Sequence, residues 1–154
     1  VGRRDDGNPR AISLEQLQAW QADGAVEWWG HSNDMASTLA RCHVVCLPSF
    51  HEGIPKILLE ACAAGRPIVA SDIAGCREVV RSGVNGILVP VRDSELLAQA
   101  MQNLIEDPNL RTRLGIAGRR IAEQEFSMDQ VIAETLSLYV HLDLDALRQT
   151  EARV

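Results

Sequence analysis

The chain has 154 residues and a formal net charge of −6, with 46% hydrophobic and 23% charged residues. This length suits one ordinary domain with a buried core, and the composition excludes a disordered or fibrous protein. The negative charge argues against nucleic acid, and against an anionic membrane, as the main partner of this segment.

Cysteine usage and hydropathy bear on the compartment. The four cysteines show neither a C-x-x-C pair nor zinc-ligand spacing. Each lies within or beside an apolar run, so we interpret Cys42, Cys46, Cys62 and Cys76 as small hydrophobic residues rather than disulfide partners. No run reaches the ~20 apolar residues of a membrane span, and we expect no signal peptide. We therefore expect a cytoplasmic location, and we expect no metal site.

Short apolar runs alternate with longer amphipathic ones along the chain. This pattern predicts an α/β fold in which a parallel sheet is flanked by helices. The predicted strands are Val26–Trp29, His43–Leu47, Pro67–Ser71 and Gly86–Val89. Continuous apolar runs such as Val44–Leu47 are typical of strands buried on both faces.

Helix starts are marked by capping patterns. Ser13 and Ser127 each precede a glutamine by three residues, as in a capping box. Asp107-Pro108 combines an N-cap with proline at the first helical position. A run after Ser94 places apolar residues on one helical face.

The most informative segment joins the second predicted strand to the third. The strand is expected to end at Pro48, and Pro55 is expected to begin a helix that stops at Gly65. Ligands bind at the carboxyl ends of strands in open parallel sheets. The amides of Gly53–Lys56 would point from a helix amino terminus, which suits phosphate.

Two carboxylates flank this helix start, Glu52 in the loop and Glu60 in the second turn. Carboxylates accept hydrogen bonds from sugar hydroxyls, so the pair indicates a sugar–phosphate ligand. Alternatively, Glu60 lies on a solvated helix face and Glu52 is an ordinary loop residue. The helix dipole opposes Lys56 at this position, which favours a ligand-facing role for it. Glycoside hydrolases also pair carboxylates, but they do not require a phosphate-ready helix start between them.

The motifs, and the order in which they occur along the chain, resemble those of family 4 retaining glycosyltransferases of the GT-B type. Glu52-Gly-Ile-Pro-Lys-Ile-Leu-Leu-Glu60 has the glutamate spacing of that family, and three similar blocks follow. They are Gly75-x-x-Glu78-Val79-Val80, Gly83-x-Asn85-Gly86-Ile87-Leu88-Val89 and Glu125-Phe126-Ser127. The resemblance runs from Val26 to about Tyr139. It implies a Rossmann-like fold, the carboxyl-terminal half of a GT-B enzyme without its first strand–helix unit.

The resemblance also implies roles for individual residues. Glu52 is expected to contact the donor sugar and is the candidate catalytic residue, whereas Glu60 is expected to contact the ribose. The amides of Gly53, Ile54 and Lys56 would approach the sugar and diphosphate.

His31 is a further donor-binding candidate, because it ends a predicted strand on the ligand-binding edge. It could line the base pocket, and the alternative is a solvated loop position.

The implied activity is retaining transfer of a sugar from a UDP- or GDP-sugar to a glycan or lipid-linked acceptor, in cell-surface polysaccharide or glycoconjugate biosynthesis. The nucleotide sugar is a substrate, so no cofactor is expected. Two alternatives remain, a non-catalytic nucleotide-sugar-binding module and a nucleotide-sugar epimerase of the same architecture. The presence of both Glu52 and Glu60 favours a transferase.

Parts of such an enzyme are expected to lie outside residues 1–154, namely the acceptor-binding domain and a basic Arg/Lys pair. Residues 1–126 would be a truncated donor-binding domain, inactive alone. The predicted strands Val26–Trp29 and His43–Leu47 would be separated by a gap of about two strands, roughly 14 Å between their axes. Residues 127–154 would cross back to the absent domain, through which any membrane contact would occur. We therefore expect the apolar stripe from Val131 to Leu142 to be exposed.

Overall fold

The computed structural model describes residues 1–3, 7 and 11–151, with side chains described as far as residue 140. The chain divides into two compact units, Val1–Thr38 and Leu39–Val154. The helices are α1 (Leu14–Ala22), α2 (Met35–Ala40), α3 (Lys56–Ala63), α4 (Ala74–Arg77), α5 (Ser94–Glu106), α6 (Pro108–Glu125) and α7 (Met128–Glu151). The strands are β1 (Val45–Leu47), β2 (Ile68–Ser71) and β3 (Gly86–Val89).

In the first unit, α1 begins where its capping residue predicts. The Ser13 hydroxyl accepts a hydrogen bond of 3.1 Å from the Gln16 amide, which satisfies a donor that the helix itself cannot pair. No residue of α1 is buried. Packing within the described chain therefore contributes little to the stability of α1, and its N-terminal cap contributes a larger share.

The predicted strand Val26–Trp29 is wrong. These residues are irregular, and the Val26 amide donates to the Trp20 carbonyl at 3.4 Å. The Trp28 indole donates to the Gly2 carbonyl at 3.1 Å. A strand needs a neighbouring strand to satisfy its backbone groups, and no described strand pairs with this run. The two-strand gap expected between this run and β1 is consequently not tested.

In the second unit, the three strands form a parallel sheet in the order β1-β2-β3. This confirms the other three predicted strands, although β1 and β2 begin later than expected. In register, Leu47 pairs with Ala70 and Ser71 pairs with Val89. Since all three strands run the same way, their carboxyl ends meet at one edge of the sheet, where α3 also begins.

Helix α3 connects β1 to β2 and begins one residue later than predicted. Pro55 is the N-cap and not the first helical residue, because its ψ of 112° is extended. The end of the helix is as predicted. Gly65 has φ +64°, its amide donates to the Cys62 carbonyl, and the Arg66 amide donates to the Ala61 carbonyl. These two bonds form a Schellman motif, which requires the left-handed conformation that glycine adopts most easily.

Helix α6 packs against α3 through glycine. A Cβ added at Gly115 would lie 2.2 Å from the Gly65 carbonyl oxygen, so a side chain at this position would separate the helices. The helix starts as predicted, with the Asp107 carboxylate accepting from the Leu110 amide at 2.9 Å and Pro108 following it. Packing of α5 and α6 on the sheet completes the core, which includes Val69, Val89, Ala100, Leu104 and Leu114.

Two of the four cysteines belong to this core. Cys62 and Cys76 are fully buried, whereas Cys42 and Cys46 are half-buried, and none of the four forms a disulfide with another described cysteine. Burial raises the pKa of the Cys62 and Cys76 thiols. For these two, the interpretation as small core hydrophobes is confirmed.

The long helix α7 leaves an apolar face uncovered. It starts as predicted, with the Ser127 hydroxyl accepting from the Gln130 amide at 3.2 Å. The stripe that begins at Val131 is 48–62% exposed at each of its large apolar residues up to residue 140, namely Val131, Ile132, Leu136, Leu138, Tyr139 and Val140. Its expected exposure is therefore confirmed that far, and Leu142 lies outside the described side chains. Among the described helices, none combines the length and apolarity needed to cross a bilayer.

Candidate functional site

The candidate site is the β1–α3 loop (residues 48–55) and the first two turns of α3. The loop leaves the carboxyl edge of the sheet directly after Leu47. Glu52 and Gly53 are exposed, and the Ile54 side chain is 59% exposed although it is apolar. Pro55 is buried beneath them. The loop is thus anchored at its base and accessible along its outer side.

The start of α3 offers unpaired amides. Within the described chain, the amides of Gly53, Ile54 and Lys56 have no hydrogen-bond acceptor. The aligned peptide dipoles of the helix place about half a positive charge at this end. Amides and dipole together favour an anion such as a phosphate group.

Glu60 lies one turn further along α3. Its side chain is 29% exposed, and the Lys56 Nζ lies 3.2 Å from its Oε1. The Glu60 side chain is therefore partly buried rather than on a fully solvated helix face. Because the Lys56 side chain is 86% exposed, the ion pair contributes little to stability, and a ligand hydroxyl can replace the ammonium at low cost.

Gly75 positions the β1–α3 loop, a role that was not predicted from the sequence. A Cβ at Gly75 would lie 1.6 Å from the Gly53 carbonyl oxygen and 2.5 Å from that of Glu52. Only a residue without a side chain allows the start of α4 to approach the loop so closely. Besides burial, the larger cause, the negative charge of Glu52 raises the pKa of the Cys76 thiol. The available sequence signal was the motif Gly75-x-x-Glu78, which carries no information about which segment it contacts.

Two cavities border the β1–α3 loop. One, of about 170 Å³, lies at the carboxyl ends of the strands between Pro48, Phe50, Ser71 and Ser94. The Arg92 guanidinium lies 5.7 Å from the centroid of the Phe50 ring at its rim. The other, of about 520 Å³, is bordered by Ile54 and by residues of α4, α6 and α7. Ligand groups bound at the helix start would therefore have space on both sides of the loop.

The predicted site residues fall into two groups. Glu52, Gly53, Ile54, Lys56 and Glu60 come together at the start of α3. His31 lies in the other unit, where its exposed ring Nε2 is 2.9 Å from the Asn33 Oδ1. The described residues contain no cluster of three or more histidines, cysteines or carboxylates that could hold a metal ion.

An ion pair stabilises the turn that precedes α4. The Arg77 Nε donates to the Asp72 Oδ1 at 2.6 Å. This hydrogen bond lowers the pKa of the Asp72 carboxyl below 3.8 and raises that of Arg77. The pair thereby restrains the segment that contains Gly75.

This pair predicts a pH dependence. Because its folded pKa is lowered, Asp72 contributes stability above its unfolded pKa of about 4 and loses it as the pH falls through the folded value. In Arg77→Gln, the Asp72 pKa should rise toward the ordinary value of an aspartate, measured by NMR titration of the carboxyl carbon. Arg81→Gln is the control, since Arg81 pairs instead with Glu125. An Asp72 titration that is unchanged in Arg77→Gln would contradict the assignment.

Comparison with known proteins identifies the family. The sequence model described as "Glycosyl transferases group 1" matches residues 1–107. The chain belongs to this family. The recognition of a GT-B-type glycosyltransferase and of its α/β fold class is confirmed.

Several relatives of this group 1 chain are glycosyltransferases. It is 36% identical over 141 residues to the N,N'-diacetylbacillosaminyl-diphospho-undecaprenol alpha-1,3-N-acetylgalactosaminyltransferase of Campylobacter jejuni, covering 90% of this chain and 35% of that enzyme. Among solved structures, Anabaena HepE in complex with UDP aligns with a TM-score of 0.71 at 31% identity, over 80% of this chain and 35% of HepE. HepE has also been solved with UDP-glucose.

A third similarity concerns the fold alone. Sucrose-phosphate synthase from Thermosynechococcus elongatus aligns with a TM-score of 0.77 at 23% identity, over 93% of this chain and 37% of the synthase. The group 1 chain spans about a third of the length of the curated relatives that it matches.

Proposed function

We propose that the β1–α3 loop and the start of α3 bind a nucleotide-sugar donor, a UDP- or GDP-sugar. The proposed activity is transfer of the sugar, with retention, to a glycan or lipid-linked acceptor in polysaccharide or glycoconjugate biosynthesis. One observation carries the proposal: two carboxylates flank a helix start with unpaired amides, at the carboxyl edge of a parallel sheet. The UDP and UDP-glucose complexes of HepE support it, as does the lipid-linked diphosphate in the name of the Campylobacter relative.

Each group has a distinct role in this proposal. The amides of Gly53, Ile54 and Lys56 stabilise the charge that develops on the leaving diphosphate, an effect that is strong where water is excluded. Glu60 accepts hydrogen bonds from the ribose hydroxyls after Lys56 moves aside. Glu52 accepts hydrogen bonds from the donor sugar and is the proposed catalytic residue. The donor is a substrate, so no cofactor is proposed.

The wider setting of the site is also a proposal. The exposed apolar stripe of α7 supports docking of residues 127–154 on another domain, because soluble proteins rarely leave such a face in water. His31 would line the base pocket. Four cysteines without a disulfide among them are consistent with a cytoplasmic location.

Ligand-observed NMR with UDP, GDP, UDP-glucose and GDP-mannose tests the proposal, because it detects even millimolar binding. We expect saturation transfer to the nucleotide from at least one of these ligands, and broadening of the Gly53 and Ile54 amide signals. Absence of binding by all four ligands to the folded protein would overturn the proposal. UDP binding without any contribution from an attached sugar would favour a nucleotide-binding module.

Glu52→Gln should separate sugar recognition from nucleotide recognition. We expect its UDP affinity to stay within about twofold of the original, while the additional affinity for the preferred UDP- or GDP-sugar falls about tenfold. The reason is that the lost negative charge faces the sugar and not the nucleoside. Calorimetry with both ligands measures the difference, and His51→Gln, which changes the exposed neighbouring side chain, is the matched control. If Glu52→Gln lost UDP affinity as well, the roles of the two glutamates would be wrongly assigned.

A further inference from the structure

A cavity of about 660 Å³ lies between the end of α3 and one face of α6. Its walls include His43, two residues before the start of β1, and Pro67, the residue before β2. The cavity is therefore at the amino edge of the sheet, whereas the β1–α3 loop leaves the carboxyl edge. It belongs to no part of the proposed donor site.

The lining of this cavity is basic in an acidic protein. Four arginines contribute to it, and no aspartate or glutamate does, although the chain carries a net charge of −6. The four arginines are Arg66, Arg111, Arg119 and Arg120. Three of them come from α6, where positions 111, 119 and 120 lie along the face that lines the cavity.

Two of these arginines already have partners. Arg111 donates to the carbonyls of Leu104 and Ile105 at 2.5 and 2.7 Å, so it caps the end of α5. Arg119 donates to the Ala63 carbonyl near the end of α3, and to Glu123 at 2.6 Å. Their charges are balanced by those helix ends and by one carboxylate.

The other two arginines have unused donors. Arg66 donates one hydrogen bond of 3.0 Å to the Ala40 carbonyl, but its Nε is buried without a partner among the described residues. The Arg120 side chain makes no hydrogen bond or ion pair within the described part of the chain. Buried donors in native proteins are nearly always satisfied, and the Arg66 Nε is a buried donor without a partner among the described residues. Arg120 is exposed, so its guanidinium is accessible to a ligand that enters the cavity.

We propose that this cavity binds a phosphate-bearing ligand through Arg66 and Arg120. The planar guanidinium group presents paired donors that match a phosphate. The apolar walls at Pro67, Pro108 and Ile116 suit the remainder of the ligand, and the volume lies within the usual range of about 300–1,000 Å³ for ligand pockets. The phosphate belongs either to a free phosphorylated small molecule or to a phospholipid headgroup. The proposal is independent of the proposed transferase activity.

The test uses pyrophosphate as the free ligand and vesicles of phosphatidylcholine with one-fifth phosphatidylglycerol as the lipid. Amide NMR should show pyrophosphate shifting Gly65, Arg66, Thr112 and Ile116, a set separate from any shifts at Gly53 and Ile54. In Arg120→Gln, the apparent affinity for pyrophosphate, obtained by titrating these shifts, should fall about tenfold. Arg113→Gln, on an exposed position of the same helix outside the cavity, should not. Arg66→Gln is the second variant, with its folding checked by circular dichroism.

The pyrophosphate titration and the vesicle experiment together also identify the source of the phosphate. Shifts with pyrophosphate that depend on Arg120 support a free ligand. Vesicle co-sedimentation that is lost in Arg120→Gln but kept in Arg113→Gln supports a lipid headgroup. Equal effects of both variants would show only diffuse charge attraction and would overturn the proposal, as would the absence of binding in both arms.

Discussion

Replacing Glu60 with glutamine is expected to weaken UDP binding by about 10- to 100-fold. Glu60 is the partly buried carboxylate of the site, at 29% exposure, and we propose that it holds the ribose. A hydrogen bond to a charged group contributes about 1.5–3 kcal/mol, which corresponds to that loss of affinity. The nucleotide and the complete donor should be affected equally, because both contain the ribose. Calorimetry with UDP and with the preferred donor measures both losses.

The control must separate the carboxylate from its ion pair. Glu123→Gln removes an equivalent pair with Arg119, also spaced i,i+4 but on α6, and should leave UDP affinity unchanged. Lys56→Met breaks the Lys56–Glu60 pair while keeping the carboxylate, so it should affect UDP much less than Glu60→Gln. Unchanged UDP affinity in a folded Glu60→Gln variant would show that Glu60 does not contact the nucleotide.

Gly75→Ala should have the largest effect on the site of any single added methyl group. Its Cβ would overlap the Gly53 carbonyl oxygen, at 1.6 Å, and a backbone atom cannot move aside as a side chain can. We expect a loss of about 3 kcal/mol in the free energy of unfolding and displacement of the β1–α3 loop. UDP affinity should therefore fall even at temperatures where the variant is fully folded.

Two other glycines provide matched controls. Gly115→Ala places a Cβ 2.2 Å from the Gly65 carbonyl oxygen, so it should destabilise the protein without altering UDP affinity in the folded state. Gly118→Ala meets its nearest atom at 3.5 Å and should be tolerated. Thermal unfolding and calorimetry of the three variants separate stability from binding. If Gly75→Ala matched Gly118→Ala in both measurements, the close contact with the loop would not exist.

Local chemistry made much of the fold predictable. Ser13, Asp107 and Ser127 marked helix starts correctly because capping depends on a hydrogen bond to an amide only three residues away. Gly65 marked the end of α3 for an equally local reason, its left-handed backbone. The strand predicted at Val26–Trp29 was wrong, because a strand depends on a partner strand elsewhere in the chain and apolar character alone does not supply one. The start of α3 was predicted one residue too early, because the fixed φ of Pro55 fits both an N-cap and a first helical turn.

The location of the candidate site residues was predictable to the same extent, whereas their roles stay a prediction. The sequence placed Glu52 and Glu60 on either side of one helix start, because their spacing is a property of one segment. The Lys56–Glu60 pair follows from i,i+4 spacing, but which partner the lysine chooses was not evident from the sequence. Gly75 could not be assigned a contact, because its need for glycine arises from packing against the distant Gly53 carbonyl.

Alkylation of the two buried cysteines, Cys62 and Cys76, can report local opening of the protein. The thiolate is the form of cysteine that attacks an alkylating reagent, and burial opposes formation of the thiolate at Cys62 and Cys76. Iodoacetamide should consequently modify these residues only during excursions that expose them. Cys76 adjoins Glu52, whereas Cys62 lies in α3 where α6 crosses it, close to Gly118. The ratio of the two alkylation rates therefore distinguishes local opening of the β1–α3 loop from separation of α3 and α6.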